Sequence, residues 1–370
     1  MAKDNDKFVH LHLHTNYSML DGACRINDVM EYAQKDNMPA VAMTDHGVMF
    51  GAVEFYKAAM KAGVKPILGC EFYEAPGSRF ERKSESHQSA YYHLVLLAED
   101  NTGYSNLMKL ASKAYLEGYY YKPRVDKELL AEHAKGIICL TACLKGSVPQ
   151  LVYLDDIARA MSAAGEYQDI FGKDNIFLEL QDHNMREQKK VNRGLMEIHR
   201  KSGIPVVATN DVHYIEKEHA EAHEIMLCMQ TGARLSDTNR LRYATNEFYM
   251  KSSREMRAIF ADIPDAIENT LKIASRCTVE IDFKTLHFPN FKVPEGHTEE
   301  SLLKELCYKG LKNRYGINDP DNPVDKREKM LVDRYRYEFS VIKETGFIGY
   351  FLVVWDLIKF AHDNNIPVGP

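Results

Sequence analysis

No stretch of this sequence is long and apolar enough to be a membrane span. The most apolar late run, GYFLVVWDLIKFA (349–361), is short and broken by Asp356 and Lys359, and reads as a buried element. The opening MAKDNDK is polar and no apolar run follows it, which argues against a secretory signal. Cysteine is sparse: seven residues, an odd number, with no CxxC pair. Without an export signal they read as reduced thiols in a cytoplasmic protein, not as a disulfide framework. Repeats of fixed period and low-complexity tracts are also missing. An excess of positive charge is absent as well. The net charge is −6 and the pI near 6.2, so the global field does not draw in nucleic acid. A local basic track stays open, and an acidic metal site would itself pull the balance down.

What is present is enough chain, 370 residues, for two or three domains with a sizeable core. Residues 8–215 alternate short apolar runs with helical patterns. The strand-like runs are FVHLHLHT, AVAMTDH, KPILGCEFYEA, YHLVLLAED, GIICLTAC, NIFLELQDH and IPVVATNDVHY. Between them RINDVMEYAQKDN and MFGAVEFYKAAMKAG are apolar at helical spacing, the second closed by Gly63. Repeated β-α units imply a parallel barrel or a doubly wound sheet. His14, His46, Glu71, His93, Cys143, Asp211 and His213 fall at the ends of nearly every run. An open sheet gathers its site at one switch point, a barrel from many strand ends. The pattern therefore favours an α/β fold with a distorted seven-stranded barrel.

From about residue 216 the character changes to helix and loop. FKTLHFPNFKVPEGHT (283–298) reads as an extended linker. Beyond it, Leu302, Leu303, Leu306 and Gly310 share one helix face, and Leu331, Tyr335, Phe339 and Ile342 another, with Gly346 as a stop. The ending NNIPVGP has the look of a truncation.

FVHLHLHTNYSMLDG (8–22) carries the strongest chemistry. Residues i and i+2 of a strand share a face, so His10, His12 and His14 would point together into the barrel, with Leu11 and Leu13 towards the helices. One buried histidine is usually a hydrogen-bonded core residue, but three in register need many partners, and a divalent cation removes that difficulty. MTDHG (43–47) adds Asp45 and His46, although an aspartate there also suits a helix cap. NDVHY puts Asp211 and His213 on one face. Glu71 is an odd charge in an apolar run, while Cys143 and His93 would alone pass as core residues. Mixed imidazole, carboxylate and thiolate donors suit Zn²⁺, or Mn²⁺ and iron where oxygen and nitrogen dominate.

HLHT, SMLDG, TDHG, GCEFY, YYHLVLLA, TAC and TNDVHY, in this order, resemble the PHP (polymerase and histidinol phosphatase) domain. More closely they resemble the N-terminal part of the bacterial replicative DNA polymerase III alpha subunits, the C-family polymerases. FPNFKVPEGHTEESLLKEL and GFIGYFLVVWDLIKFAHDNNIPVGP resemble the opening of that family's palm. The resemblance implies a distorted (β/α)7 PHP barrel over 1–282, including a helical segment, and an incomplete palm over 283–370. It implies two to three divalent metals, Zn²⁺ or Mn²⁺ with iron as an alternative. One would be held by His12, His14, Glu71 and Asp211, a second by Glu71, His93 and Cys143, a third by Asp21, His46 and His213. Glu71 and Asp211 would be the catalytic carboxylates. His10, left over, would orient a ligand from behind.

Intact ligand sets in this family accompany 3′–5′ exonucleolytic proofreading, so the resemblance implies a phosphodiesterase acting on single-stranded 3′ ends. The parent would be a DNA-directed DNA polymerase with replisome partners and no membrane. The polymerase's acidic motif is not in this sequence, so polymerisation is not expected of it. The alternatives are a non-catalytic scaffold or a phosphomonoesterase of histidinol-phosphatase type. EGYYYKPRVDK (117–127) interleaves aromatics with cations, and Tyr120, Tyr121, Lys122 and Arg124 are candidate DNA contacts. RFERKSES (79–86) reads as a mobile solvated loop, and DKREKMLVDRYRYE as a solvated helix face.

Overall fold

A computed structural model describes residues 7–82, 90–285 and 287–369. Residues 83–86 of the RFERKSES run, Leu286 of the linker, Pro370 and the first six residues lie outside the described set. The chain divides into two compact units, Met1–Ile281 and Asp282–Pro370.

The first unit is built on a seven-stranded sheet. Its strands are β1 (Ala40–Met43), β2 (Lys65–Glu74), β3 (Tyr92–Ala98), β4 (Arg124–Val125), β5 (Ile137–Leu140), β6 (Ile176–Leu180) and β7 (Val206–Ala208). The order is β1-β2-β3-β5-β6-β7, with β4 paired to β2 off the path. Helices follow most strands and cover the outer face. Ile26–Lys35 and Ala52–Ala62, for example, bury Val29, Met30, Phe55 and Ala59 in the outer apolar layer. An inner layer of Val9, Leu11, Ala42, Ile67, Val95, Leu97, Ile138, Leu140, Phe177 and Val207 fills the sheet's concave side. The helix Pro264–Arg276 adds Ile273 and Ala274 to that layer, and Asn269 and Thr270 tie it to Val206 and Val9. It closes the end away from Glu71, which leaves the other end open.

Two departures from a regular parallel barrel shape the site. The first is β3, which runs antiparallel to both β2 and β5. His93 therefore reaches the open mouth from the start of its strand, not from its end. The second concerns FVHLHLHT, which is not a regular strand. It joins β1 to the segment after β7 through Ala42 N–H to His10 O (2.8 Å), Thr44 N–H to Leu13 O (2.9 Å) and His14 N–H to Val212 O (2.8 Å). Between those bonds β1 advances two residues, 42 to 44, and the N-terminal segment three, 10 to 13. That extra residue is a bulge, and it shifts the side-chain alternation. Before it, Val9 and Leu11 point inward; after it, Leu13 lies in the outer layer and His12 and His14 point to the mouth.

In the second unit the helices Glu299–Tyr315, Lys326–Glu344 and Ile348–Asp363 bury Leu302, Leu303 and Leu352 with Phe339 and Ile342 beside them. Leu331 and Tyr335 pack with Leu311, Ile317 and Val332 instead. Gly310 lies inside its helix, which ends at Gly316 (φ 77°), and Gly346 (φ 78°) follows the next helix. GYFLVVWDLIKFA is not a buried element within this unit: Leu357 and Phe360 are exposed. Among the described residues no helix is long and apolar enough to cross a membrane.

Candidate metal centre

The open mouth is organised around one carboxylate. Glu71, late in β2, is fully buried, and four imidazole nitrogens surround its two oxygens. His93 Nδ1 lies 2.8 Å and His12 Nε2 3.4 Å from Oε1; His46 Nδ1 lies 2.7 Å and His14 Nε2 3.4 Å from Oε2. Asp211 Oδ1 is 3.1 Å from both His12 Nε2 and His14 Nε2, which are themselves 3.2 Å apart. Cys143 Sγ stands 3.8 Å from His93 Nδ1 and 4.0 Å from Glu71 Oε1. Asp21 Oδ2 lies 3.0 Å from His46 Nε2 and its Oδ1 3.9 Å from His213 Nε2. The rings of His46 and His213 flank that of His14, with centroids 4.0 and 4.3 Å away.

Local structure holds these groups in place. Gly47 takes φ +64°, and a Cβ there would meet Pro123 at 3.0 Å, so the turn after His46 is open to glycine. Asp45 is no helix cap. Its buried carboxylate accepts from Thr15 N–H (2.7 Å), Thr15 Oγ1 (2.8 Å) and Ser18 Oγ (2.8 Å), and so anchors the loop that delivers Asp21. Asp211 sits at φ +44°, a strained conformation for a non-glycine residue. Asn210 beside it donates to the carbonyls of Glu247 and Tyr249 and fixes the bend.

The electrostatics match a cation site. Burial lowers the basicity of His12, but Asp211, Glu179 and Glu71 outweigh it and hold its pKa well above the ordinary value. Burial, with His46 and His213 adding repulsion, drops His14 to about 3. Glu71 resists protonation despite burial, because His93, His12 and His46 surround it. Burial and the nearby Glu71 and Asp211 push the Cys143 thiol up, so it becomes a thiolate only beside a compensating positive charge. His46 Nδ1 and Glu71 Oε2 are buried and 2.7 Å apart, yet neither has a hydrogen-bond partner. Orphaned donors and acceptors of this kind are costly, and a divalent ion would satisfy both. Three overlapping donor groups fit one: His12, His14 and Glu71; His46, Glu71 and His93; and His14, His46 and His213.

Three sequence expectations need correcting. His10 does not orient a ligand. Its Nε2 bonds the Lys251 carbonyl at 2.8 Å and its ring packs edge-on against Phe8, because the bulge puts it on the opposite phase from His12. Arg124 is buried and not available to DNA: its guanidinium donates to the carbonyls of Gly118, Arg79 and Glu81. Arg79, at the head of the run read as a solvated loop, is also buried, held by Glu117 (2.7 Å) and Asp126 (2.9 Å). Tyr121 is exposed, with Tyr120 packed against it (4.5 Å). Lys122 Nζ stands 5.2 Å over the ring of Tyr73, which packs against His93, so this loop borders the mouth.

Three further residues support the cluster. Glu179 in β6 accepts from His12 Nδ1 at 2.7 Å, while Thr209 and Gln181 donate to the same oxygen. A signal for it existed: Glu179 alternates with Phe177 in NIFLEL, the odd inward charge that also marked Glu71. Tyr243 Oη lies 2.8 Å from His213 Nε2 and 3.3 Å from Asp21. His223 donates from Nε2 to the Asp21 carbonyl at 2.6 Å. Tyr243 comes from an irregular segment and His223 from the helix Ala220–Thr231, whose apolar residues show no clear one-sided period.

The chain is similar to known proteins along nearly its whole length. Residues 10–183 match the PHP domain family and residues 301–370 the bacterial DNA polymerase III alpha NTPase domain family. The chain is 46% identical over 365 residues to the DNA polymerase III subunit alpha of Borreliella burgdorferi, covering 98% of this chain and 31% of that one. It is 46% identical over 364 residues to that of Treponema pallidum, covering 98% and 30%. It thus spans about a third of the length of these curated relatives. Among solved structures, an amidohydrolase from Chromobacterium violaceum matches 55% of this chain and 87% of its own, with 14% identity and a TM-score of 0.38. The chain belongs to the bacterial DNA polymerase III alpha subunit family and carries that family's PHP domain.

Proposed function

We propose that the first unit is a metal-dependent phosphodiesterase that removes nucleotides from the 3′ end of single-stranded DNA, the proofreading activity of a longer replicative polymerase. The observation that carries this reading is Glu71, one buried carboxylate with four imidazole nitrogens within 3.4 Å of its two oxygens. That is the arrangement a carboxylate needs to bridge two cations.

His12, His14, Glu71 and Asp211 would hold one ion, Glu71, His93 and Cys143 a second, and Asp21, His46 and His213 a third. Zn²⁺ and Mn²⁺ suit this donor set, and iron is compatible. Such ions, when bound, supply a hydroxide at neutral pH and neutralise charge on the phosphodiester. The protein's share is to fix the donors. Glu71 would be shared between two of these donor sets, Asp211 on its strained backbone would complete the first, and Glu179 would hold the His12 tautomer with Nε2 free. The donors line a cavity of about 240 Å³, and in this reading a strand enters it by its end. Freeing a paired terminus costs a few kcal/mol, less for a mismatch, so the site would favour errors without reading base identity. Replisome subunits are the proposed partners of the longer protein.

The test is hydrolysis of 3′-labelled single-stranded, paired and mismatched DNA by Zn²⁺- or Mn²⁺-loaded protein at low salt. Glu71→Gln and Asp211→Asn serve as controls, expected to reduce cleavage to background while the barrel stays folded. Equal activity in wild type and both variants would refute the reading, because the activity would then not arise at this centre.

A further inference from the structure

Above the ligand cluster lies a cavity of about 240 Å³, floored by Asp21, His46, Glu71 and His93. Two cations line it: Lys145, from the loop after β5, and Arg242, from the loop that delivers Tyr243. The other polar groups of this wall are committed. Tyr243 bonds His213, Gln181 bonds Glu179, and Gln188 bonds His183. Arg240, two residues before Arg242, pairs with Glu224. By contrast, Lys145 and Arg242 are both exposed, and among the described residues neither side chain has a hydrogen bond or short ion pair; the Lys145 ammonium only feels the charge of the nearby Cys143, Tyr91, Glu71 and Asp21. Two exposed cations thus line the same small cavity as the ligand cluster, where an anion approaching the centre would meet both. The remaining wall is apolar, formed by Leu144, Met185 and Leu241, the last half-exposed at 47%.

We propose that Lys145 and Arg242 form a clamp for the phosphate of the terminal nucleotide, whose base lies against Leu144, Met185 and Leu241. The proposal rests on the phosphodiesterase reading and names the substrate contacts of that same site. Guanidinium suits two phosphate oxygens at once, and ammonium adds a point charge. Phosphate contacts and apolar stacking carry no base identity, so the pocket accepts any terminal nucleotide. This also explains how a chain of net charge −6 engages DNA: attraction is local to the mouth.

The experiment uses the full chain loaded with Zn²⁺ or Mn²⁺. Binding of thymidine 5′-monophosphate, thymidine and inorganic phosphate is measured by calorimetry, and binding of a short oligothymidylate by anisotropy across salt concentrations. Lys145→Ala and Arg242→Ala are expected to retain wild-type metal content and melting temperature. Each should bind the monophosphate about tenfold or more weakly and flatten the log affinity–log salt slope of the oligonucleotide by about 0.7. Thymidine should bind weakly and equally to all three proteins, and Lys145→Arg should restore most of the affinity. Wild-type affinity for the monophosphate in both alanine variants, or none in wild type, would overturn the clamp. If clamp-dependent phosphate binding is found without DNA hydrolysis, the nuclease reading fails and the clamp stands. If DNA is hydrolysed and both variants keep full affinity, the clamp alone fails.

Discussion

Replacing Glu179 tests whether the centre depends on residues that never touch the metal. Its Oε1 accepts from His12 Nδ1 at 2.7 Å, and the opposite nitrogen of that ring faces His14, Asp211 and Glu71 at 3.1–3.4 Å. The bond fixes the proton on Nδ1, leaves the Nε2 lone pair for an ion, and makes it more basic. Loss of such a supporting partner typically weakens metal affinity 10- to 100-fold, or about 1.4–2.7 kcal/mol. Glu179→Gln keeps an acceptor but not the charge and should fall near the lower end; Glu179→Ala should fall near the upper. Metal affinity is read by competition with a chromophoric chelator, and the His12 tautomer by ¹⁵N chemical shifts of the ring. At a fixed free metal concentration above both dissociation constants, the metal-induced rise in stability should shrink by the same 1.4–2.7 kcal/mol. An affinity within twofold of wild type for both variants, with the barrel folded, would show that His12 is held without Glu179 and would refute the reasoning.

Two more substitutions probe groups outside the centre. His10→Ala should leave metal content unchanged and cost about 1–3 kcal/mol in chemical unfolding, since it strands the buried Lys251 carbonyl; loss of metal would show that His10 serves the centre after all. Glu74 is buried beneath Tyr167, and burial raises its pKa from 4.5 to about 7. A carboxyl raised on folding contributes stability that is present below pH 4.5 and lost as the pH rises through 7. That rise corresponds to roughly 3 kcal/mol. Glu74→Gln should therefore show a flatter stability profile between pH 4.5 and 8, measured in chelator so that metal binding does not contribute; profiles parallel to wild type would contradict the assignment.

The strand-like runs, and the residue types at their ends, were determined by sequence alone. Apolar runs of strand length separated by amphipathic helices leave few architectures, and a carboxylate such as Glu71 inside GCEFY has no apolar partner that would justify it. What period-two alternation could not determine was its own phase. His10, His12 and His14 are equivalent on paper, but the bulge between His10 and Leu13 sends the first towards Lys251 and the others to the mouth. Strand direction was equally hidden. YHLVLLA reads the same either way, and only pairing with β2 and β5 puts His93 at the mouth from its leading end. Burial reversed the reading of Arg124, because its guanidinium finds carbonyls of segments distant in sequence, among them Arg79 and Glu81. Tyr243 and His223 reach the centre, and Arg242 the cavity above it, on segments without periodicity. Composition and spacing thus determine which donors exist, since those are properties of neighbouring residues. Which donors meet depends on register, strand direction and loop path, which are settled only when segments distant in sequence pack together.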